Sequence, residues 1–422
     1  MPAIRPRIGY LVPCFPGPTH PAVRREVAAL EAQGVEVVLL SDRPPPPALR
    51  VHGWCAEAMA RTTYLARGLH RGLGALAGLP WAELRGAERG FARDLLGALG
   101  PARALVEAAA RLGLRHVHVQ SSGRVALVAA LAERLGGPSY SLALHGPLSE
   151  DGPGQNLKWR AARFATVASR RLLAEVKTVL REDRPARLVV QPLGVDAGCF
   201  GPLPYAPPAP GEPLRLLACG RLEESRGLAE LLLALRRLLD RGVPATLRIA
   251  GPDGAEGRNA RPGLERRMRG LRLGERAVLT GPLGEERMRE EMRAAHAFVR
   301  PNPREGLSAA LMEAMACGLP VVAAATGGVR ELVTHGVDGI LVPPRDPGAL
   351  AGALDALARS PARARALSEA ARARVEAGFD AGRGAATLMR ELGLRPWEEV
   401  EHDLPPLPLA MGTGLSGSAA LR

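Results

Sequence analysis

The sequence predicts an α/β protein of two doubly wound domains, and three observations carry that prediction. Short apolar runs alternate with amphipathic stretches of helix formers from residue 7 to residue 392, the pattern of parallel strands joined by helices. The alternation breaks at Gly201-Pro202-Leu203-Pro204-Tyr205-Ala206-Pro207-Pro208-Ala209-Pro210-Gly211, where proline forbids regular structure and stiffens the backbone. The 422 residues leave room on each side of that break for a domain of ~150–200 residues with its own core.

Before the break the order is a strand over 7–13, a loop holding Gly17, Pro18 and Thr19, a helix over 21–33 and a strand over 35–40. This is the opening of a doubly wound domain, whose ligands gather at the carboxyl ends of the strands. Pro44 to Pro47 interrupts it, and residues 54–100 read as irregularly helical. Within them Arg61, Arg67, His70 and Arg71 alternate with Tyr64, Leu65 and Leu69, which suits either a basic helix on an anionic bilayer or a solvated helix face. Alternation resumes with a helix over 101–112, a strand over 116–119, a helix over 125–135 and a strand over 139–144 that delivers His145 to the mouth of the sheet. His116 and His118 fall within or beside a strand and read as structural. Strands over 164–169 and 188–192, with a helix over 170–181, complete the domain, which closes at Gly194-Val195-Asp196.

After the break a strand over 214–218 ends in Gly220-Arg221-Leu222 and leads through Ser225-Arg226-Gly227 to a helix over 228–240. Two guanidinium groups past a strand end suit a diphosphate, because each forks onto two oxygens; arginines in loops are also commonly just solvated. Strands over 246–250, 277–280 and 297–300 follow. Then comes Glu305-Gly306-Leu307-Ser308, with Ser308 as the N-cap of a helix over 309–316 that carries Glu313 and is closed by Gly318 and Pro320. A buried strand over 321–324 comes next. A helix N-terminus with free N–H groups, beside a loop carrying a carboxylate, binds phosphate. A strand over 339–342 and helices over 347–358, 362–377 and 380–392 end the pattern, and the proline- and glycine-rich residues 395–422 read as a flexible tail.

Composition narrows the function. Hydrophobic residues at 46% and charged residues at 23% are ordinary for a globular protein. No apolar run approaches the ~18 residues of a membrane span, and residues 1–8 lack the apolar core of a signal peptide. The expectation is a cytoplasmic protein, soluble or peripheral on the inner face of the membrane. The five cysteines are odd in number and scattered, without a C-x-x-C pair, so they indicate packing rather than disulfides or zinc. Residues 1–200 carry 26 Lys and Arg against 16 Asp and Glu, +10 of the net +13. A basic half points to a membrane surface, an anionic substrate or nucleic acid. Aromatics at 3% leave little for stacking on bases, so nucleic acid is not expected.

In combination, Gly194-Val195-Asp196, Gly220-Arg221-Leu222, Arg226-Gly227, Glu305-Gly306-Leu307-Ser308, Glu313-Ala314, Cys317-Gly318-Leu319-Pro320-Val321-Val322, Gly327-Gly328 and Glu331 resemble family 4 of the retaining glycosyltransferases. Phe15-Pro16, the Glu26, Leu30 and Gly34 helix, and His145-Gly146 resemble its branch for bacterial exopolysaccharide and capsule. The resemblance implies the GT-B fold: two Rossmann-like domains facing a cleft, 1–200 on the acceptor side and 214–377 on the nucleotide-sugar side. Residues 201–213 would link them, and a helix in 378–394 would return to the first domain.

Carried over, the resemblance gives Glu305 the donor sugar's hydroxyls and Glu313 the ribose. Gly220, Gly306, Leu307 and Ser308 would bind donor, the last three through backbone amides, while Arg221 and Arg226 neutralise the diphosphate. His145 and the loop of Gly17, Pro18 and Thr19 would line the sugar and acceptor side. The family usually has lysine where Arg226 stands, which replaces a point charge with a planar fork. The reaction implied is retaining, front-face transfer of a hexosyl-type sugar from a nucleotide-diphosphate sugar to a glycan or lipid-linked acceptor in cell-surface polysaccharide synthesis. It needs no cofactor or metal, consistent with the lack of a D-x-D motif. Two alternatives stay open: a sugar-nucleotide 2-epimerase of the same fold, and a non-catalytic nucleotide-sugar-binding protein.

Overall fold

The structure, a computed structural model, describes residues 5–17, 20–65, 90–200, 205–253, 260–304 and 306–394. Two parallel sheets form the frame. The first has the order β3-β2-β1-β4-β5-β6-β7, from β1 (Arg7–Cys14), β2 (Glu36–Arg43), β3 (Thr63–Tyr64), β4 (His116–Val119), β5 (Ser139–Leu144), β6 (Ala165–Val167) and β7 (Leu188–Val190). The second has the order β10-β9-β8-β11-β12-β13, from β8 (Leu214–Cys219), β9 (Ala245–Ala250), β10 (Ala277–Gly281), β11 (Ala297–Arg300), β12 (Val321–Ala324) and β13 (Ile340–Val342). In each sheet the order reverses beside the first strand, at β1/β4 and at β8/β11. Crevices outside the carboxyl ends of the strands open there.

The strands are apolar because helices cover both faces: all four residues of β4 and of β12 are buried. His116 and His118 serve as packing residues. His116 shares hydrogen bonds of 2.9 Å with Ser139 Oγ and Ser141 Oγ, His118 Nδ1 lies 2.8 Å from Ser141 Oγ, and both rings stack on Phe164.

Two expectations need correction. The helix placed at 101–112 begins at Phe91 and passes through Pro101. Proline favours a first turn, but Phe91, Leu95, Ala98, Ala102, Leu105 and Ala109 form one buried stripe at helical spacing, and their packing outweighs the lost hydrogen bond. The basic-helix reading of Arg61 to Arg71 also stops short. The helix Cys55–Arg61 ends at Arg61, and Thr63 and Tyr64 pair with β2 as an edge strand. Arg67, Leu69, His70 and Arg71 lie outside the described residues, as does the expected tail at 395–422.

The chain returns to its first half as expected. The helix Ala381–Leu392 places Ala385, Leu388, Met389 and Leu392 in one cluster with Ile8, Val12, Val23 and Val27. Val195 N–H donates to Phe379 O at 2.8 Å and Ala381 N–H donates to Val195 O at 3.2 Å, so the crossing is stitched by backbone. Gly194 is required there, because a Cβ would fall 2.4 Å from the Asp380 carbonyl carbon. Of the expected linker, Tyr205 is tied to the second sheet by its hydroxyl, 3.0 Å from His296 O.

Candidate active site in the cleft

A cavity of about 410 Å³ lies between the carboxyl ends of the two sheets and is lined from both. Its wall from the second half begins at the end of β8, where Gly220 has φ 154° and Arg221 follows. Arg226 closes the next turn before the helix Leu228–Asp240. The Glu223 carboxylate, 5% exposed, lies between the two guanidinium groups, 3.8 Å from Arg221 and 3.4 Å from Arg226. It neutralises part of their charge, leaving the group net positive. Arg300 and Arg304 also line the cavity, so the cationic wall is broader than the two arginines the sequence marked.

Beside them begins the helix Ala309–Ala316. Ser308 caps it as expected, its Oγ accepting from Leu311 N–H at 3.3 Å, and Gly318 ends it at φ 71°. Gly306, Leu307, Ser308 and Glu313 all line the cavity. Gly306 is confined: a Cβ there would stand 2.6 Å from the carbonyl oxygen of His145 across the cleft. Glu305 lies outside the described residues.

From the first half come His145, Gly146, Pro147 and Glu150 after β5, with Pro21, Ala22 and His52. Burial lowers the His145 pKa to about 4, so the ring is neutral. Of the expected acceptor loop, Gly17 is not among the residues that line the cavity. Gly17 is buried in a turn whose carbonyl accepts from His20 N–H at 3.0 Å, and Pro18 and Thr19 lie outside the described residues. The helix start at Pro21 and Ala22 stands at the wall instead.

The sequence reading missed the contacts that join the two halves. Arg25 reaches across from the helix Pro21–Ala32 and donates to Glu313 at 2.9 Å and to Glu285 at 3.1 Å. Burial works against the Arg25 charge, but Glu313 and Glu285 outweigh it and raise the pKa. Burial also holds Glu313 above the usual carboxylate range, which Arg25 only partly offsets. Glu285 is opposed by burial too, yet Arg25, Arg289 and Arg24 hold it below that range.

Two helices are capped from the opposite half. Glu285 N–H donates to His52 Nδ1 at 3.1 Å, and Glu331 accepts from Arg170 N–H at 2.8 Å and Arg171 N–H at 3.0 Å. One signal for Arg25 was present: with Glu26 it interrupts the apolar positions Ala22, Val23, Val27 and Leu30. Nothing in the sequence names its partners, 260 and 288 residues away.

Residues 205–374 match the family described as glycosyl transferases group 1. A D-inositol 3-phosphate glycosyltransferase of Frankia alni is 32% identical over 277 residues, 58% of this chain and 65% of that protein. A putative colanic acid biosynthesis glycosyltransferase, WcaL of Escherichia coli, is 33% identical over 183 residues, 41% of this chain and 42% of that one. The first three curated relatives are matched over 40% to 65% of their length. Sucrose-phosphate synthase from Thermosynechococcus elongatus superposes with a TM-score of 0.70 at 22% identity, covering 92% of this chain and 99% of that one. Anabaena Alr3699/HepE, solved with UDP, superposes with a TM-score of 0.68 at 18% identity over the same shares. The chain thus has the GT-B fold, and its residues 205–374 match the group 1 glycosyl transferases.

Proposed function

We propose that the protein transfers a sugar from a nucleotide-diphosphate sugar to a glycan or lipid-linked acceptor, with retention and without a metal, in the making of a cell-surface polysaccharide. The observation that carries this reading is the cleft: Arg221 and Arg226 stand beside the free N–H groups of the helix that begins at Ser308, in a cavity the first half closes with His145. Glycosyl transfer builds negative charge on the departing diphosphate. Two fixed cations and a helix N-terminus, preorganised and partly shielded from water, stabilise that charge without reorganising. The leaving phosphate can itself take the acceptor's proton, so no protein nucleophile is required. HepE, which shares this fold, is solved with UDP-glucose as well as with UDP, and the E. coli relative is named for colanic acid synthesis.

No helix among the described residues is long and apolar enough to cross a membrane. A lipid-linked acceptor would be met at a membrane surface, toward which the basic first half is attracted.

A panel of UDP-, GDP- and ADP-sugars is expected to yield one class that raises the melting temperature, since a ligand at 100 times its Kd adds about 2.7 kcal/mol to the native state. With that donor, Arg226→Ala lowers kcat roughly 10²–10³-fold, the usual effect of removing one preorganised stabiliser. EDTA leaves wild-type transfer intact. A full-rate Arg226→Ala enzyme would sink the diphosphate assignment, and product formed without acceptor would mean epimerisation.

A further inference from the structure

Glu26, singled out in the sequence, has no role in the transfer just proposed, yet it is only 6% exposed and anchors a polar chain running to the cleft. Tyr10 Oη–H donates to Glu26 Oε2. The Gln120 amide nitrogen donates to the same oxygen at 2.8 Å and to Tyr10 Oη. The Gln120 amide oxygen stands 2.7 Å from Nε2 of His145. Tyr10 lies on β1, Gln120 and His145 follow β4 and β5, and Glu26 is brought over them by the helix Pro21–Ala32.

The position of each hydrogen follows from these contacts. A carboxylate oxygen accepts only, so Gln120 turns its NH₂ to Glu26 and its oxygen to His145. Both bonds end on Oε2, so a proton taken up on Oε1 leaves them in place. An amide oxygen also accepts only, which puts the ring hydrogen of His145 on Nε2. A neutral imidazole has one N–H, so Nδ1 is an acceptor, and among the described residues it has no hydrogen-bond partner while the ring lines the cavity.

We propose that Glu26 and Gln120 are positioning residues: they hold the His145 proton on Nε2 and so present Nδ1 as an acceptor for a sugar hydroxyl in the cleft. With the hydrogen on Nδ1, the ring would donate to the hydroxyl oxygen and could no longer accept from its O–H. The sugar rests on the transfer reading; the tautomer does not.

The test is nitrogen NMR of protein labelled with ¹⁵N-histidine, with His145 assigned through His145→Gln. At neutral pH the wild-type ring is expected to be a single neutral form protonated on Nε2. Gln120→Leu removes the acceptor and Glu26→Leu frees the amide to turn, so each gives a mixture of tautomers. Glu26→Gln keeps an oxygen for both donors and retains the single form. With the donor found in the nucleotide-sugar panel, Gln120→Leu also lowers kcat roughly 10- to 100-fold, the effect of a misplaced group, while KM for the donor stays near wild type.

A wild-type ring protonated on Nδ1, or a Gln120→Leu ring still in one form, overturns the proposal. Should Glu26→Leu fail to fold, the wild-type and Gln120→Leu spectra decide. If no nucleotide sugar is turned over, the transfer reading falls while the spectra still decide the tautomer.

Discussion

Replacing Arg25 with alanine is expected to destabilise the protein by about 3–5 kcal/mol, the usual effect of breaking one side of a buried ion pair. The side chain is 7% exposed, and its partners Glu285 and Glu313 are each 14% exposed, so water screens little of their attraction. Removing the guanidinium leaves two carboxylates facing each other in the cleft. The loss also includes packing, since Arg25 lies 5.0 Å over the Phe200 ring.

Thermal unfolding should show the transition falling on the order of 10 °C. A fall within the range of an exposed pair, about 1 kcal/mol or less, would show that the three side chains do not form the buried triad described. Glu285→Gln is expected to do less harm, because Arg25 keeps Glu313.

Acidification from about pH 7 to about pH 5 is expected to lower stability by several kcal/mol through buried histidines. Burial lowers His116 to about 4, with the Arg163 charge adding to the effect, and His118 to about 3, with repulsion against His116 and His145 adding to it. Burial likewise lowers His20 and His145 to about 4. An unfolded histidine titrates near ~6.5, so between the two values the unfolded chain binds protons that the folded one refuses, and stability falls with pH.

For His116 and His118 together the loss is roughly 4 kcal/mol at pH 5. Glu26 acts in the opposite sense, since burial raises it to about 7 and protonation then favours the folded state over the unfolded one. Glu313, Asp151 and Asp338, which burial also raises, act with Glu26, while His296, which burial lowers, acts with the four imidazoles, and the histidine shifts dominate. Melting temperatures that stay level or rise across this interval would refute the account, and His118→Leu should flatten the slope by about one proton.

Much of the fold was legible because its periodicities are local. Strands β4, β5, β11 and β12 and the helices Leu228–Asp240 and Ala309–Ala316 have the bounds that apolar runs, caps and glycines give them. Ser308 and Gly318 act within one turn of chain, so their roles could be read directly. The helix Phe91–Leu112 was misread because Pro101 is a strong local signal overruled by a stripe of buried residues.

The sequence by itself determined two doubly wound α/β halves, a helix N-terminus after Glu305 on a helix that carries Glu313, arginines past the end of β8 and a histidine past β5. Each follows from spacing along one strand or helix, within reach of its own neighbours. Only the tertiary structure decided what those groups face. Arg25 meets Glu313 and Glu285, Glu331 caps a helix of the opposite half, and Glu26 reaches His145 through Gln120. Burial and partners set whether such side chains are charged and which way their protons point, and both arise when distant segments pack together.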